Sequence, residues 1–501
     1  MKILSNKEKS LKNLYKNVVA GIDVRQSLSK LRQELKLPGK REELQKIFNK
    51  DLDTLRNSLT SEDAKTRKNT ALLIGDLDLQ DLCIDLIHGY EREDQLFVKS
   101  SYLTGLKTLD YSMYLPLLEN RMIDLTKEER TPENKKHLDE ELRILSELIV
   151  SKTGIAKHEF TGYYETFECV LLTNRIHMDV TREQITNGHL KDFRPAVKVS
   201  VDDLHELLRI RTYSELLFVI PGMEMCDLDP LVAAKTVVDS YLLDMLKDSH
   251  EGTTPFYFRT EIKSKMPLDK KSVFAKKFSS EIEHLSNREL LNSTSNYELE
   301  IRLIENKDGY FNALVKLYTI PDERFSYRQE SISSSIKPSD AALLVHLAKS
   351  YMEADARVLD PFCGVGTMLI ERQMQVKANT SYGIDVLEDA IQKARFNTEE
   401  AHQIIHFINR DFFKFTHEHL FDEIFTNMPF AIGRKTEDEI YDLYEQFFQK
   451  ARDFLVERGT IIMFSHNQDY VQSLSKKNGY TILEEIEINS KKDTYLYIIS
   501  A

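Results

Sequence analysis

The sequence predicts three architectures in series: a helical region over residues 1–150, an α+β region over 151–330, and a doubly wound α/β sheet with a terminal antiparallel hairpin over 331–501. Three observations predict this. Apolar residues recur at helical spacing up to about residue 150. Alternating β-branched and aromatic runs begin at about 155. Beyond 355, strand-like and helix-like segments alternate one for one, until two strands follow each other with almost no connection.

In the first region the helical segments include DVRQSLSKLRQELKLPG and NTALLIGDLDLQDLCIDLI, separated by Pro, Gly and Asp clusters. Arg25, Leu31 and Leu35 recur 42 positions on as Arg67, Leu73 and Leu77, a period compatible with paired-helix repeats of the HEAT type; a plain helical bundle is the alternative.

The second region holds the runs TFECVLLT, AVKVSV, ELLFVI, PFYFRTEI, ELEIRLIE and FNALVKLYTI, with helical stretches such as DPLVAAKTVVDSYLLDMLK between them. We divide it into small α+β units at 151–245 and 246–330. The Ser-rich stretch YRQESISSSIKPSDA, 327–341, reads as a connector, with a helix expected from Ala341.

From there the expected order is strand 356–360, helix from Thr367, strand at SYGIDV, helix at LEDAIQKARFNTEEA, strand at IIHFINRD, strand at FDEIFTN, helix over 437–457, strand at GTIIMFSH and helix at QDYVQSLSKKNG. Such a βαβ series specifies a parallel sheet covered on both faces. YTILEEIEINS and DTYLYIIS then stand too close together for a parallel crossover, so they must form an antiparallel hairpin.

Composition narrows the function classes. With 41% hydrophobic and 30% charged residues and no apolar run of bilayer length, the chain reads as a cytoplasmic protein with no membrane partner. Cys83, Cys169, Cys226 and Cys363 are too scattered for a zinc site or a disulfide framework, and no metal is expected. A net charge of -13 repels phosphates, so any nucleic-acid contact must be local. The candidate is KSKMPLDKKSVFAKK, 263–277, whose six lysines less one aspartate leave +5; its alternative is a solvated helix face.

The chemistry gathers at strand ends, where a doubly wound sheet presents its ligands. DPFCGVGT (360–367) offers Asp360, Phe362, Cys363, Gly364, Gly366 and Thr367; the two glycines allow close backbone approach. Leu369 stands where a dinucleotide motif needs a third Gly, and no Gly-Lys-Ser/Thr follows, so the ligand is not expected to be a pyrophosphate. Asp385, with Val386 after it, ends the second strand, where a carboxylate accepts both hydroxyls of a ribose. Asp411 ends the third, placed to receive an adenine amino group while Phe412 lies against the ring. Three acids at three successive strand ends point to a nucleoside-bearing cofactor.

DPFCGVGT, GID, NRDFF, NMPF and a closing hairpin together resemble the class I S-adenosylmethionine-dependent methyltransferases. NMPF resembles the Asn/Asp-Pro-Pro-Tyr/Phe motif of enzymes that methylate exocyclic amino groups. DPFCGVGTMLIE with IKPSDAALLVHLA resembles the THUMP-containing tRNA guanosine N2-methyltransferases. The resemblance covers roughly 155–501 and implies a ferredoxin-like unit at 151–245, a THUMP-like RNA-binding domain at 246–330 and a methyltransferase domain at 331–501. It departs from the motif at Met428, in place of the second Pro, and at Ala431, in place of a Gly.

The resemblance implies S-adenosyl-L-methionine as cofactor, held by Asp360, Phe362, Cys363, Gly364, Gly366, Thr367, Asp385, Val386, Asp411, Phe412 and Asn427. It implies Asn427, Met428, Pro429 and Phe430 as the catalytic loop, and tRNA as partner. The expected RNA contacts are Arg259, Lys263, Lys265, Lys270, Lys271, Lys276, Lys277, Arg288 and Arg434. The reaction expected is N2-methylation of a guanosine in tRNA. The alternatives are adenine-N6 methylation of DNA or rRNA, and a non-catalytic scaffold that kept the fold.

Overall fold

The computed structural model describes residues 2–501 apart from 36, 38, 129–130, 154–157, 192, 194, 224, 253–254 and 431–435, with side chains from Leu11 on, except at 126 and 127. It comprises two compact units, Met1–Lys157 and His158–Ala501. Among the described residues no helix is long and apolar enough to cross a membrane, and no group of His, Cys, Asp and Glu is spaced to hold a metal.

The first unit is helical: α1 (Lys2–Val19), α2 (Val24–Glu34), α3 (Lys40–Phe48), α4 (Asp53–Leu59), α5 (Ala64–Asp76), α6 (Cys83–Arg92), α7 (Leu96–Leu106), α8 (Leu115–Lys127) and α9 (Lys135–Thr153). Helices α2, α5, α7 and α9 pack in series, while α4 packs on α5, α6 packs on α7, α4 and α6 pack on one another, and α8 packs on α9. That is a layered stack of helix pairs, in which Leu31 of α2 and Leu73 of α5, the repeated positions, are both fully buried. Arg67 of α5 grips the buried Glu93 through two hydrogen bonds of 2.8 and 2.7 Å.

The second unit opens with β1 (Glu159–Phe160), β2 (Phe167–Thr173), α10 (Met178–Arg182), β3 (His189–Lys191), β4 (Val197–Val201), α11 (His205–Leu208), β5 (Tyr213–Val219), α12 (Pro230–Val238), α13 (Leu242–Ser249), β6 (His250–Glu251), β7 (Phe256–Lys263), α14 (Leu268–Leu285), β8 (Leu290–Asn292), β9 (Leu299–Glu305) and β10 (Phe311–Leu317). Eight of these strands form one sheet in the order β3-β4-β2-β5-β10-β9-β7-β8. The boundary expected at 245 falls inside α13, and β5 pairs with β10 across it, Val219 opposite Leu314. One continuous apolar core runs under the sheet from Phe167 to Leu317, because each half would otherwise expose an unpaired edge strand.

The third part contains α15 (Pro338–Ala348), β11 (Arg357–Asp360), α16 (Thr367–Gln375), β12 (Thr380–Asp385), α17 (Glu388–Glu400), β13 (His406–Asn409), β14 (Phe421–Asn427), α18 (Glu437–Ala451), β15 (Leu455–Ser465), α19 (Gln468–Lys477), β16 (Thr481–Asn489) and β17 (Thr494–Ser500). The strand order is β13-β12-β11-β14-β15-β17-β16, with the last pair antiparallel. Two boundaries differ from expectation. Helix α15 starts at Pro338, a residue preset for a first helical turn. Helix α18 stops at Ala451 and residues expected to continue it enter β15, since Leu455 pairs with Phe421 and Phe454 fills the core between them.

The central sheet is tied to this third part by buried and half-buried polar contacts. Arg211 forms a bidentate pair of 2.9 and 2.7 Å with Glu371 of α16, which is fully buried and also accepts from the Tyr327 hydroxyl at 2.6 Å. Asn174 donates to the Ile488 carbonyl at 2.9 Å, and His177 Nε2 lies 2.7 Å from the Glu487 carbonyl.

Candidate functional site

Strand order reverses between β11 and β14, and a cavity of about 480 Å³ opens at the carboxyl ends of the strands around that switch point. Its lining includes Asp360, Phe362, Cys363, Gly364 and Thr367 after β11, Asp385 and Val386 after β12, Asp411 and Phe412 after β13, and Asn427, Met428, Pro429 and Phe430 after β14. Residues widely separated in the chain meet because parallel strands deliver all their carboxyl ends to one edge. The volume is within the ordinary range for a cofactor site.

Asp360 is fully buried at the end of β11. Its Oδ1 accepts from the Thr426 hydroxyl at 2.7 Å and from the Phe362 N–H at 3.1 Å, while Oδ2 is buried with no partner. Burial pushes its pKa up to about 7, against the two hydrogen bonds that favour the anion, and the Asp385 charge adds a little. Asp385 Oδ2 accepts from the Gly364 N–H at 3.0 Å and Oδ1 from the Leu387 N–H at 2.9 Å, which aim the carboxylate. Asp411 Oδ1 accepts from the Phe413 N–H at 3.0 Å. Gly364, at φ +52°, has open space where a side chain would stand. Asn427 Oδ1 is the second buried oxygen of the lining without a partner. Unpaired acceptors, three carboxylates and an open glycine backbone fit a nucleoside that carries positive charge.

Several of the expected residues are also fixed by packing. Gly366 lies outside the lining: at φ +82° it caps α16, and an added Cβ would meet the Phe407 ring at 2.9 Å, so it serves the packing of α16 against β13. Phe412 touches the cavity but is 2% exposed, its ring locked among Phe362, Phe447 and Phe454. Met428 is fully buried in the core, which leaves only its backbone for a ligand. Cys363 is buried too, and desolvation holds its thiol well above the usual range, away from nucleophilic chemistry.

The structure also brings in residues that local patterns do not mark. Ile332, Ser334, Ser335 and Ile336 of the connector, Phe413, and Leu443 of α18 also line the cavity. His466, just after β15, stacks on Phe430 with ring centroids 4.0 Å apart and planes within 16°. Burial, then the charge of Lys492, lowers the His466 pKa, which favours the neutral ring under Phe430.

Among the expected RNA contacts, Arg259 is engaged within the sheet. It bonds Glu300 through Nε at 2.7 Å and Nη2, and packs on Tyr297 at 4.3 Å and Tyr318 at 5.6 Å. Arg288 faces Glu283 at 3.4 Å, and Lys263 pairs with Glu261. Lys265 is exposed, as are Lys270, Lys276 and Lys277, with Lys271 half-buried. Helix α14 buries Phe274, Phe278 and Ile282 on its other side. Arg434 and Ala431 lie outside the described residues.

The Asp360 carboxyl carries a pH dependence. Its pKa is raised in the fold, so the stability that its protonated form contributes is complete below the unfolded value of 3.8 and is lost as pH rises through about 7. Asp360→Asn does not titrate. Between pH 5 and pH 8 the wild type is therefore expected to lose melting temperature relative to that variant, and a cationic ligand in the cavity is expected to narrow the gap. Thermal melts of both proteins across this range check it; parallel curves would mean that Asp360 is already ionised at pH 5.

Residues 326–495 match the family model described as RMKL-like, methyltransferase domain. Among solved structures the chain is similar to TrmN from Thermus thermophilus, with 16% identity over 67% of this chain and 99% of that one and a TM-score of 0.48. It is also similar to SMU.472 complexed with SAH, with 14% identity over 67% of this chain and 98% of that one and a TM-score of 0.51. At this identity the second likeness is one of fold.

Proposed function

From a C-terminal methyltransferase domain whose cofactor is S-adenosylmethionine, we infer that this protein methylates an exocyclic amino nitrogen of a nucleobase in structured RNA, and propose N2 of a guanosine in tRNA as the acceptor. The observation that carries the reading is the Asn427 carbonyl oxygen, buried at the end of β14 without a partner, beside a Phe430 ring braced by His466.

An exocyclic amino group is a poor nucleophile because its lone pair is delocalised into the base. The cofactor supplies a methyl group on a positively charged sulfur, which makes transfer downhill. Asn427 Oδ1 and the Met428 carbonyl accept the two amino N–H groups, which localises the lone pair and turns it away from them. Pro429 keeps the loop extended. The Phe430 face opposite His466 gives the unstacked base a surface to lie on. Asp385 would hold the ribose hydroxyls, and the Asp360 carboxyl would answer the positive charge that the cofactor brings. The proton left on nitrogen after transfer is acidic enough to leave to water.

Mass analysis of nucleosides from RNA of cells lacking the protein tests the reading. Loss of N2-methylguanosine from tRNA is expected. Loss of methyladenosine instead would move the acceptor to adenine N6, and an unchanged profile would overturn methylation of RNA.

For the RNA body, the reading assigns phosphate contacts to the outward lysines of α14, which form no ion pair among the described residues. Reversing the charge of Lys270, Lys271, Lys276 and Lys277 together is expected to weaken tRNA binding and to reduce its salt slope by about one for each phosphate no longer neutralised. Titrations at several salt concentrations check this; an unchanged slope would make α14 a solvated face.

A further inference from the structure

Among the described residues, the cavity lining carries three carboxylates, Asp360, Asp385 and Asp411, and no lysine, arginine or histidine. S-adenosylmethionine ends in an amino acid. A lining of that charge suits its ammonium and sulfonium, and among the described residues no cation of the lining answers its carboxylate.

A cation stands just behind this wall. Arg328 Nη1 donates to the Thr367 hydroxyl and to the Ile336 carbonyl at 3.3 Å, and both residues line the cavity; its Nε donates to the Glu330 carbonyl at 2.8 Å. Among the described residues no carboxylate pairs with it. Arg211, Arg302, Arg324 and Arg372 of the same unit each bond a carboxylate. Burial lowers the Arg328 pKa, the direction of a cation that lacks compensation. Arg328 is half-buried, and withdrawing even part of a guanidinium from water is costly unless something answers its charge. The segment is anchored by Tyr327, whose hydroxyl bonds the buried Glu371 one turn along α16 from Thr367. Because Thr367 Oγ1 accepts from Arg328, its own proton is left to donate elsewhere.

We propose that Arg328 and Thr367 form the subsite for the carboxylate at the amino-acid end of the cofactor, the hydroxyl donating to it and the guanidinium supplying the opposite charge. This rests on S-adenosylmethionine as the cofactor. It also gives the connector a role in binding, since Arg328 holds Ile336 and Thr367 in place together.

Calorimetry with two probes tests it: S-adenosylhomocysteine, and its decarboxylated analogue, which keeps the adenosine and the amine. Wild type is expected to prefer the first. Arg328→Met should lower affinity for S-adenosylhomocysteine by about 10- to 100-fold, the scale of one charged hydrogen bond, and leave the analogue nearly unchanged. Thr367→Val, which conserves shape and retains Arg328, should show the same selective loss and keeps the test available if the arginine variant fails to fold. Equal losses for both probes, or no loss in either variant, would overturn the subsite. A wild type that binds neither probe would overturn the cofactor reading itself, which is a separate result.

Discussion

Asn427→Ala is expected to lower the single-turnover methylation rate by about 100- to 1,000-fold, the scale of removing one preorganised hydrogen-bonding group at a reacting centre. Cofactor affinity, tRNA affinity and melting temperature should change little. The reason is in the geometry. Asn427 Oδ1 is buried with no partner inside the protein, so its removal breaks no internal hydrogen bond and relieves an unpaired acceptor. Its value is realised as the amino nitrogen leaves planarity, which is an effect on the transition state rather than on binding. If Asn427 were only the terminus of β14, the variant would lose stability and activity together. A folded, fully active variant at saturating cofactor and tRNA would falsify the assignment of Asn427.

The largest effect on stability is expected from Arg372→Met, at about 3–5 kcal/mol. Arg372 of α16 is fully buried and holds Glu423 of β14 through bonds of 3.1 and 2.8 Å, and also donates to the carbonyls of Val376 and Glu353 at 2.6 and 2.9 Å. Burial already raises the Glu423 pKa in spite of this partner. Without the arginine, the carboxylate must be protonated or stay buried and unpaired. Glu423→Leu added to Arg372→Met should recover much of the loss, because an apolar pair leaves no charge behind. Urea unfolding of the wild type, the single variant and the double variant at pH 7 checks this, and a double variant no better than the single would place the loss in packing. The pair also matters to the site: it locks α16, which begins at Thr367, to the strand that ends at Asn427.

The two effects separate what was legible in the sequence from what was not. The C-terminal sheet was legible element by element, because strand and helix periods are local and a connection of a few residues between the last two strands permits only a hairpin. The acids at 360, 385 and 411, Gly364 and the NMPF loop were legible as a group, because parallel strands in a doubly wound order deliver their ends to one edge. The helical first region followed from the same periodicity, and the repeated positions Leu31 and Leu73 are both core residues.

Only the tertiary structure decided the rest, since it depends on pairs of residues distant in the chain. Whether β5 finds β10, which makes one sheet of the region expected as two units, is not written in either strand alone. Arg259 reads as a free cation in FYFRTEI until Glu300 is seen beside it. Phe412 reads as an unsupported ring in NRDFF until the ring of Phe447 is seen packed against it. His466 under Phe430, and Arg328 behind Thr367, have no local pattern at all. Sequence alone therefore determined which chemistry the strand ends offer, since that depends on residue type and spacing. Folding determined which charges are answered and which are left open, because desolvation and Coulomb energy depend on distance in space and not on separation along the chain.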